Sequence, residues 1–230
     1  MKSFFITGTD TGVGKTVLSL ALMQYLYHCG ENPFYVKPAQ TGCRDPYDSD
    51  SDSKFIYEHV KELAGKDCAC STICCFQEAK APWFAARNEG KEIDPHDLLE
   101  EVRKRSEGHS HLIIEGAGGL LVPLTKTMLM IDLLREIKAA PVIAGRTALG
   151  TINHVLMTVE ILRRHQLEPQ GIVLIDGQNP PTDAAMIREN QEAIEEFSRI
   201  SVAGVIPPIA DFTKPLEFLF PLCKRLLDQE

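Results

Sequence analysis

Short unbroken apolar runs alternate along this chain with longer segments in which apolar residues return every three or four positions. The runs are "SFFITG" (3–8), "PFYVKP" (33–38), "HLIIEGAGG" (111–119), "APVIAGR" (140–146), "GIVLID" (171–176) and "VAGVIP" (202–207). Each reads as a buried strand bounded by glycine, proline or polar residues. The helical segments cover 16–30, 53–65, 94–108, 151–166, 183–200 and 215–227, the last weakened by Pro221. Gly30 stops the first, and Asp94 with Pro95 opens the third as N-cap and first helical residue. The stretch "AQTGCRDPYDSDSD" (39–52) has no apolar period and reads as a polar loop. Strands that are apolar throughout, separated by helices, predict an α/β fold with a mostly parallel β-sheet, helices on both faces and right-handed crossovers. No repeat, linker or compositional break interrupts residues 1–230, so a single domain is expected. In such sheets ligands gather at the carboxyl ends of the strands. Gly8 to Thr16, Lys37, Glu115 to Gly119 and Asp176 all fall there.

Composition narrows the function classes. The chain has 230 residues, 44% hydrophobic and 24% charged, ordinary for a soluble globular protein. A net charge of -8 argues against a nucleic-acid partner held on a broad basic face. The apolar run at the N-terminus is too short for a signal-peptide core, and no stretch approaches the roughly 20 apolar residues that span a bilayer. A cytoplasmic location without membrane contact is therefore expected. Cys68, Cys70, Cys74 and Cys75 crowd into "CACSTICCF". Their C-x-C-x3-C-C spacing lacks paired knuckles, and neighbours in an extended segment face opposite ways, so reduced small side chains are the reading here.

The chemistry concentrates in "GTDTGVGKTV" (8–17), which follows an apolar strand and opens a helix. In a loop of this kind backbone N–H groups and the helix dipole hold phosphate oxygens. Gly12, Val13 and Gly14 supply the cradle, Lys15 neutralises the β- and γ-phosphates, Thr16 offers a hydroxyl to Mg²⁺, and Val17 continues into the helix. Five residues separate Gly8 from Gly14, one more than the usual spacing. The extra residue widens the mouth and leaves Thr9, Asp10 and Thr11 beside the γ-phosphate, where a second substrate can lie. Glu115 stands at a strand tip as a candidate Mg²⁺ ligand, with glycines after it that permit close backbone approach. The acidic loop "DSDSDSKF" offers a second carboxylate, and Lys37 a second cation for charge that develops in phosphoryl transfer. The plainer readings are a solvated strand-end Glu, a solvated acidic loop and a surface lysine.

Four motifs in this order, "GTDTGVGKT", "VKPAQTG", "EGAGGLLVPL" and "LGTINHV", together resemble the ATP-dependent dethiobiotin synthetase family. The similarity runs from residue 2 to about residue 176 and weakens afterwards. The wide loop is that family's own form of the P-loop. The resemblance implies a P-loop NTPase-like fold and an ATP- and Mg²⁺-dependent cyclo-ligase of biotin synthesis. Its substrates would be 7,8-diaminononanoate, CO2 or bicarbonate, and ATP. The route would pass through a carbamate and a carbamic-phosphoric anhydride to dethiobiotin, ADP and phosphate. By the same resemblance Lys15 and Lys37 are catalytic, and Thr11 and Thr41 touch the substrate. Thr16, Glu115 and Asp52 hold Mg²⁺, with Asp50 the second choice for the loop ligand. Gly116, Ala117 and Gly118 line the nucleotide, and Asp176, Pro207, Pro208 and Ile209 its base. Gly150, Thr151, Ile152 and Asn153 open a helix that receives the substrate carboxylate across a homodimer interface, giving a composite site.

Three positions depart from the family pattern. Gly12 stands where many relatives carry Glu, "IVLID" lacks an Asn that often reads adenine, and the second proline of "VIPPIADF" removes a donor. Asp176, Gln178 or Asn179 would have to replace that Asn. The alternative function is a partition-type P-loop ATPase switch, whose loop usually begins Lys-Gly-Gly, a signature missing here. An amidating synthetase would need a glutaminase domain for which 230 residues leave no room. A nucleotide binder without chemistry does not explain the pairing of Lys15 with Lys37.

Overall fold

The computed structural model describes residues 1–228. Seven strands are β1 Lys2–Gly8, β2 Pro33–Thr41, β3 Thr72–Phe76, β4 His111–Glu115, β5 Ala140–Arg146, β6 Gly171–Ile175 and β7 Val202–Ile206. The helices are α1 Lys15–His28, α2 Asp52–His59, α3 Pro82–Asn88, α4 Pro95–Ser106, α5 Met130–Ile137, α6 Thr151–Arg164, α7 Ala184–Ser198 and α8 Phe220–Leu227. Every strand pair is parallel, and the sheet order is β3-β2-β4-β1-β5-β6-β7. β1 is therefore central, and all strands deliver their carboxyl ends to one edge.

Two apolar cores flank the sheet, because successive strand residues face opposite sides. Phe4, Ile6, Tyr35 and Ile113 pack against α1, α2 and α8. Phe5, Val36, Ile114 and Ile143 pack against α3 to α7. α1 is buried on almost every side, as an apolar helix held between a sheet and other helices must be. Its one long polar side chain in mid-course, Gln24, donates to His59 O (2.7 Å) and accepts from Leu216 N (2.8 Å).

Six strands and the Asp94 cap form where the pattern predicts, although β2 runs on to Thr41, three residues into the stretch that reads as loop; Asp94 accepts from His96 N and Asp97 N at 2.8 and 3.1 Å. Five other elements differ. β3 forms inside the cysteine-rich stretch, where Cys74 and Cys75 pair with Ala39 and Gln40 of β2. All seven cysteines are free thiols, and among the described residues none joins a metal-type cluster. α3 and α5 are short helices in stretches to which the pattern assigns no element. α2 ends at His59, with Lys61–Leu63 turning separately. α8 starts at Phe220 and not Pro215, so Pro221 lies in its first turn, where a missing N–H costs no helical bond.

Candidate active site

The glycine loop leaves the end of β1 and is pinned between β4 and β5. Gly8 N donates to Gly118 O (3.2 Å) and Thr9 N to Ala144 O (3.0 Å). Arg146, at the end of β5, donates to Thr11 O (2.9 Å) and lies 3.4 Å from the Asp10 carboxylate. Gly14 takes φ 95°, and a Cβ there would sit 2.7 Å from Ile175 Cγ2, so close approach of loop to β6 requires glycine. Gly12 also has positive φ (67°), but a side chain there would meet open space. Lys15 Nζ lies 3.3 Å from Asp10 O. Burial first, and then the nearby Lys37 charge, pull its ammonium down to about 8. A buried ammonium beside a second cation is an anion-binding arrangement.

Lys37, 4% exposed, stands between two carboxylates, 2.6 Å from Asp52 Oδ2 and 2.8 Å from Glu115 Oε1. Burial works against its charge, but Asp52 and Glu115 outweigh this and hold its pKa above the ordinary lysine value. Burial likewise pushes the Asp52 carboxyl up, while Lys37 and the Thr16 hydrogen bond bring it below its usual range. Thr16 Oγ1 lies 2.8 Å from Asp52 Oδ1 and 2.9 Å from Glu115 Oε1. One hydroxyl proton cannot serve both carboxylates fully. The donor set is three hard oxygens converging where the structure already places a cation, which fits Mg²⁺. Of the two loop candidates, Asp52 joins this cluster, while Asp50 only lines the surrounding cavity.

Two cavities open on either side of the loop. The first, about 490 Å³, is lined by Thr11, Gly12, Gly14, Lys15, Thr16, Lys37, Thr41, Asp52, Glu115, Ala117 and Gly118, and by Lys80, Ala81 and Pro82 opposite. The second, about 510 Å³, is lined by Gly12, Val13, Gly14, Val17, Asp176, Pro207, Pro208 and Ile209, with Ile175 and Phe212. Gly116 lines neither; its N–H is held by Ile6 O (3.0 Å) and its carbonyl lies 3.5 Å from Lys37 Nζ. Asp176 reaches the second cavity with its carboxylate already engaged. It accepts from Thr147 Oγ1 (3.0 Å), Thr182 N (3.0 Å) and Gln178 N (3.2 Å). The base-side wall mixes apolar residues with Arg146 and Gln178; of the two amide candidates, Gln178 lines it and Asn179 does not.

Gly150, Thr151, Ile152 and Asn153 open α6 away from both cavities. The Thr151 side chain is buried and its N–H donates to Ala148 O (3.2 Å), while Asn153 meets only Met157 Sδ at 4.0 Å. Farther along, α6 borders a third groove, about 670 Å³, with Gly119 to Pro123 and Thr9 to Thr11. Leu121, Leu149 and Met157 are exposed apolar residues around this region.

Sequence reading missed four residues that touch this machinery: Ser19, Tyr35, Gln40 and Arg146. Gln40 Oε1 accepts from Asp52 N (3.2 Å) and so anchors the first turn of α2. Spacing alone carried a signal for two of them. Ser19 lies one helical turn beyond Thr16, and Tyr35 lies two strand positions before Lys37.

Comparison with known proteins agrees with this geometry. A family profile described as "AAA domain" matches residues 2–216. The solved structure of the MinC:MinD cell division protein complex from Aquifex aeolicus superposes with TM-score 0.61 at 13% identity, covering 100% of this chain and 97% of that one. A putative plasmid partition protein from Borrelia burgdorferi, bound to AMPPNP, gives TM-score 0.62 at 12% identity, with 99% and 96% covered. Identities this low establish the P-loop ATPase fold alone. Sequence relatives are nearer. The chain is 36% identical over 213 residues to the ATP-dependent dethiobiotin synthetase of Paramagnetospirillum magneticum, covering 93% of this chain and 91% of that protein. It is 34% identical over 223 residues to the synthetase of the same name from Haloferax mediterranei, with 97% and 90% covered. With a P-loop, two lysines and two carboxylates at one sheet edge, and relatives that match over almost their whole length, the chain belongs to the ATP-dependent dethiobiotin synthetase family.

Proposed function

We propose that this chain, folded as one domain, carboxylates 7,8-diaminononanoate and closes it to the cyclic urea dethiobiotin at the expense of ATP. One amine adds to CO2 with loss of a proton and forms a carbamate. A carbamate oxygen attacks the γ-phosphorus, and ADP leaves. The second amine attacks the carbonyl of the mixed anhydride, the C–O bond to phosphate breaks, and the ring closes with release of phosphate. The observation that carries this reading is the Lys15–Lys37 pair at the boundary of a cavity that has room beyond the loop for a second substrate. Lys15 and Lys37 stabilise the anionic carbamate and the transferred phosphoryl group, in a buried setting where such charges act strongly. Thr11 and Thr41 face the substrate end of the same cavity. Thr16, Asp52 and Glu115 hold Mg²⁺, which when bound neutralises phosphate charge.

The substrate carboxylate lies at the far end of an apolar chain from the amines. In this reading a second copy supplies the N-terminus of α6, whose N–H groups and dipole suit a carboxylate, with Asn153 adding a donor. Exposed Leu121, Leu149 and Met157 support an apolar contact there. No described helix is long and apolar enough to cross a membrane, in keeping with a cytoplasmic enzyme. A partition-type switch shares the fold, but the near relatives do not favour it. The deciding experiment is phosphate release from ATP with and without the diamine and bicarbonate, with mass-spectrometric detection of the cyclic urea. Release that requires both, with product formed, is expected. Release indifferent to the diamine would defeat the proposal.

A further inference from the structure

The two oxygens of the buried Glu115 carboxylate have separate surroundings. Oε1 faces the reactive side, 2.8 Å from Lys37 Nζ and 2.9 Å from Thr16 Oγ1. Oε2 faces the interior, where it accepts from Ser19 Oγ at 3.1 Å and from Tyr35 OH at 3.0 Å. The same two elements serve both oxygens. On β2, Tyr35 and Lys37 share a face by the strand period of two, and each reaches a different oxygen. On α1, Thr16 and Ser19 share a face by the helical period, and again each reaches a different oxygen. Ser19 and Tyr35 are 0% and 1% exposed, and Glu115 is 1% exposed. A carboxylate without fixed donors at Oε2 could rotate about its last side-chain bond and exchange its oxygens. Two neutral hydroxyl donors at the inner oxygen prevent this without adding a competing charge.

We propose that Ser19 and Tyr35 are positioning residues that lock the Glu115 carboxylate so that Oε1 alone is presented to the cation. This rests on the reading of Glu115 as a cation ligand. Groups behind a metal ligand typically alter metal affinity by about 10- to 100-fold when removed. The test is binding of Mn²⁺, followed by electron paramagnetic resonance, to the protein carrying a non-hydrolysable ATP analogue. Wild type is compared with Tyr35→Phe, Ser19→Ala and Glu115→Gln, and each metal-free protein is melted separately. Tyr35→Phe keeps the ring and Ser19→Ala is smaller still, so two independent variants guard against a folding defect. A rise of about tenfold or more in the Mn²⁺ dissociation constant in both is expected, with metal-free nucleotide affinity unchanged. If Glu115→Gln weakens Mn²⁺ while both hydroxyl variants merely melt earlier, the hydroxyls are structural and the positioning inference is wrong. If Glu115→Gln also leaves Mn²⁺ affinity unchanged, the assignment of Glu115 as a ligand fails first.

Discussion

Replacing Lys37 by Met keeps most of the side-chain volume and removes the charge from between Asp52 and Glu115. The ammonium lies 2.6 and 2.8 Å from those carboxylates, and Glu115 is almost wholly buried. Removing one partner from a buried ion pair costs about 3–5 kcal/mol, which in a chain of this size lowers Tm by about 6–20 °C. Two further signatures separate this cause from ordinary core damage. In the wild type the folded-state pKa of Asp52 lies below its unfolded value. Its contribution to stability is therefore present above the ordinary aspartate range and is lost as pH falls through the depressed value. In Lys37→Met the charge that holds the Asp52 carboxyl down is gone, so that contribution is lost. The stability of the variant should therefore fall less steeply than that of the wild type as pH drops through the acidic range. Mg²⁺ should also stabilise the variant more than the wild type, because a divalent cation restores the missing charge. Calorimetric melts across pH, with and without MgCl2, measure all three effects. A Tm drop under about 2 °C, or pH dependence parallel to wild type, would refute the electrostatic account of the cluster.

Lys15→Ala should abolish phosphate release and weaken ATP binding, since the loop has no second ammonium. In the wild type, ATP affinity measured calorimetrically should fall as pH rises through about 8, where free Lys15 loses its proton. Asp52→Asn should raise the Mg²⁺ concentration needed for half-maximal rate, whereas Asp50→Asn should be nearly silent; the reverse pattern would move the loop ligand to Asp50. A base cleft walled by Ile175, Pro207, Pro208 and Ile209, with Gln178 in place of the Asn that often reads adenine, should discriminate ATP from GTP and CTP as phosphate donors by no more than roughly 10–200-fold. A preference of several orders of magnitude would show that another group reads adenine. Mixing Lys15→Ala subunits with subunits altered at Asn153 should recover activity if the site is shared between copies; no recovery despite verified exchange would put the whole site in one chain.

The parts of the fold legible from sequence are those whose residues have one physical role. Strands such as "HLIIE" are apolar throughout because both sheet faces are covered, and they read plainly. β3 was hidden because "TICCF" is only five residues long and its cysteines speak only for or against a metal, whereas Cys74 and Cys75 are simply strand residues beside β2. α5 escaped because its start has no polar cap; Asp132, inside the helix, reaches back to accept from Leu129 N at 2.9 Å. The same distinction governs the site. Lys15, Thr16 and Glu115 stand out as polar residues at a helix start and a strand end, and Lys37 as a lone charge inside the apolar run of β2. Tyr35 and Ser19 have bodies that belong to the core and hydroxyls that belong to the site, so apolar patterning absorbs them. Gln40 and Arg146 act by holding a helix and a loop in place, and that role has no signature until the chain is folded.

With β1 at the centre of the sheet, linear order along the gene separates two tasks. Residues lining the chemical cavity all lie at or before Val122, whereas the base cleft, apart from the shared loop, begins at Arg146. Beyond the β1–β5 ladder, a few contacts stitch the halves at the loop: Gly14 against Ile175, Thr9 to Ala144, and Arg146 to Asp10 and Thr11. A single recombination event between residues 123 and 145 would therefore exchange the base cleft together with α6, while leaving the phosphate-side groups of the chemical cavity intact. Nucleotide choice and reception of the far end of the substrate would then be inherited together, apart from the lysines and carboxylates of the phosphoryl step, provided those stitches are kept.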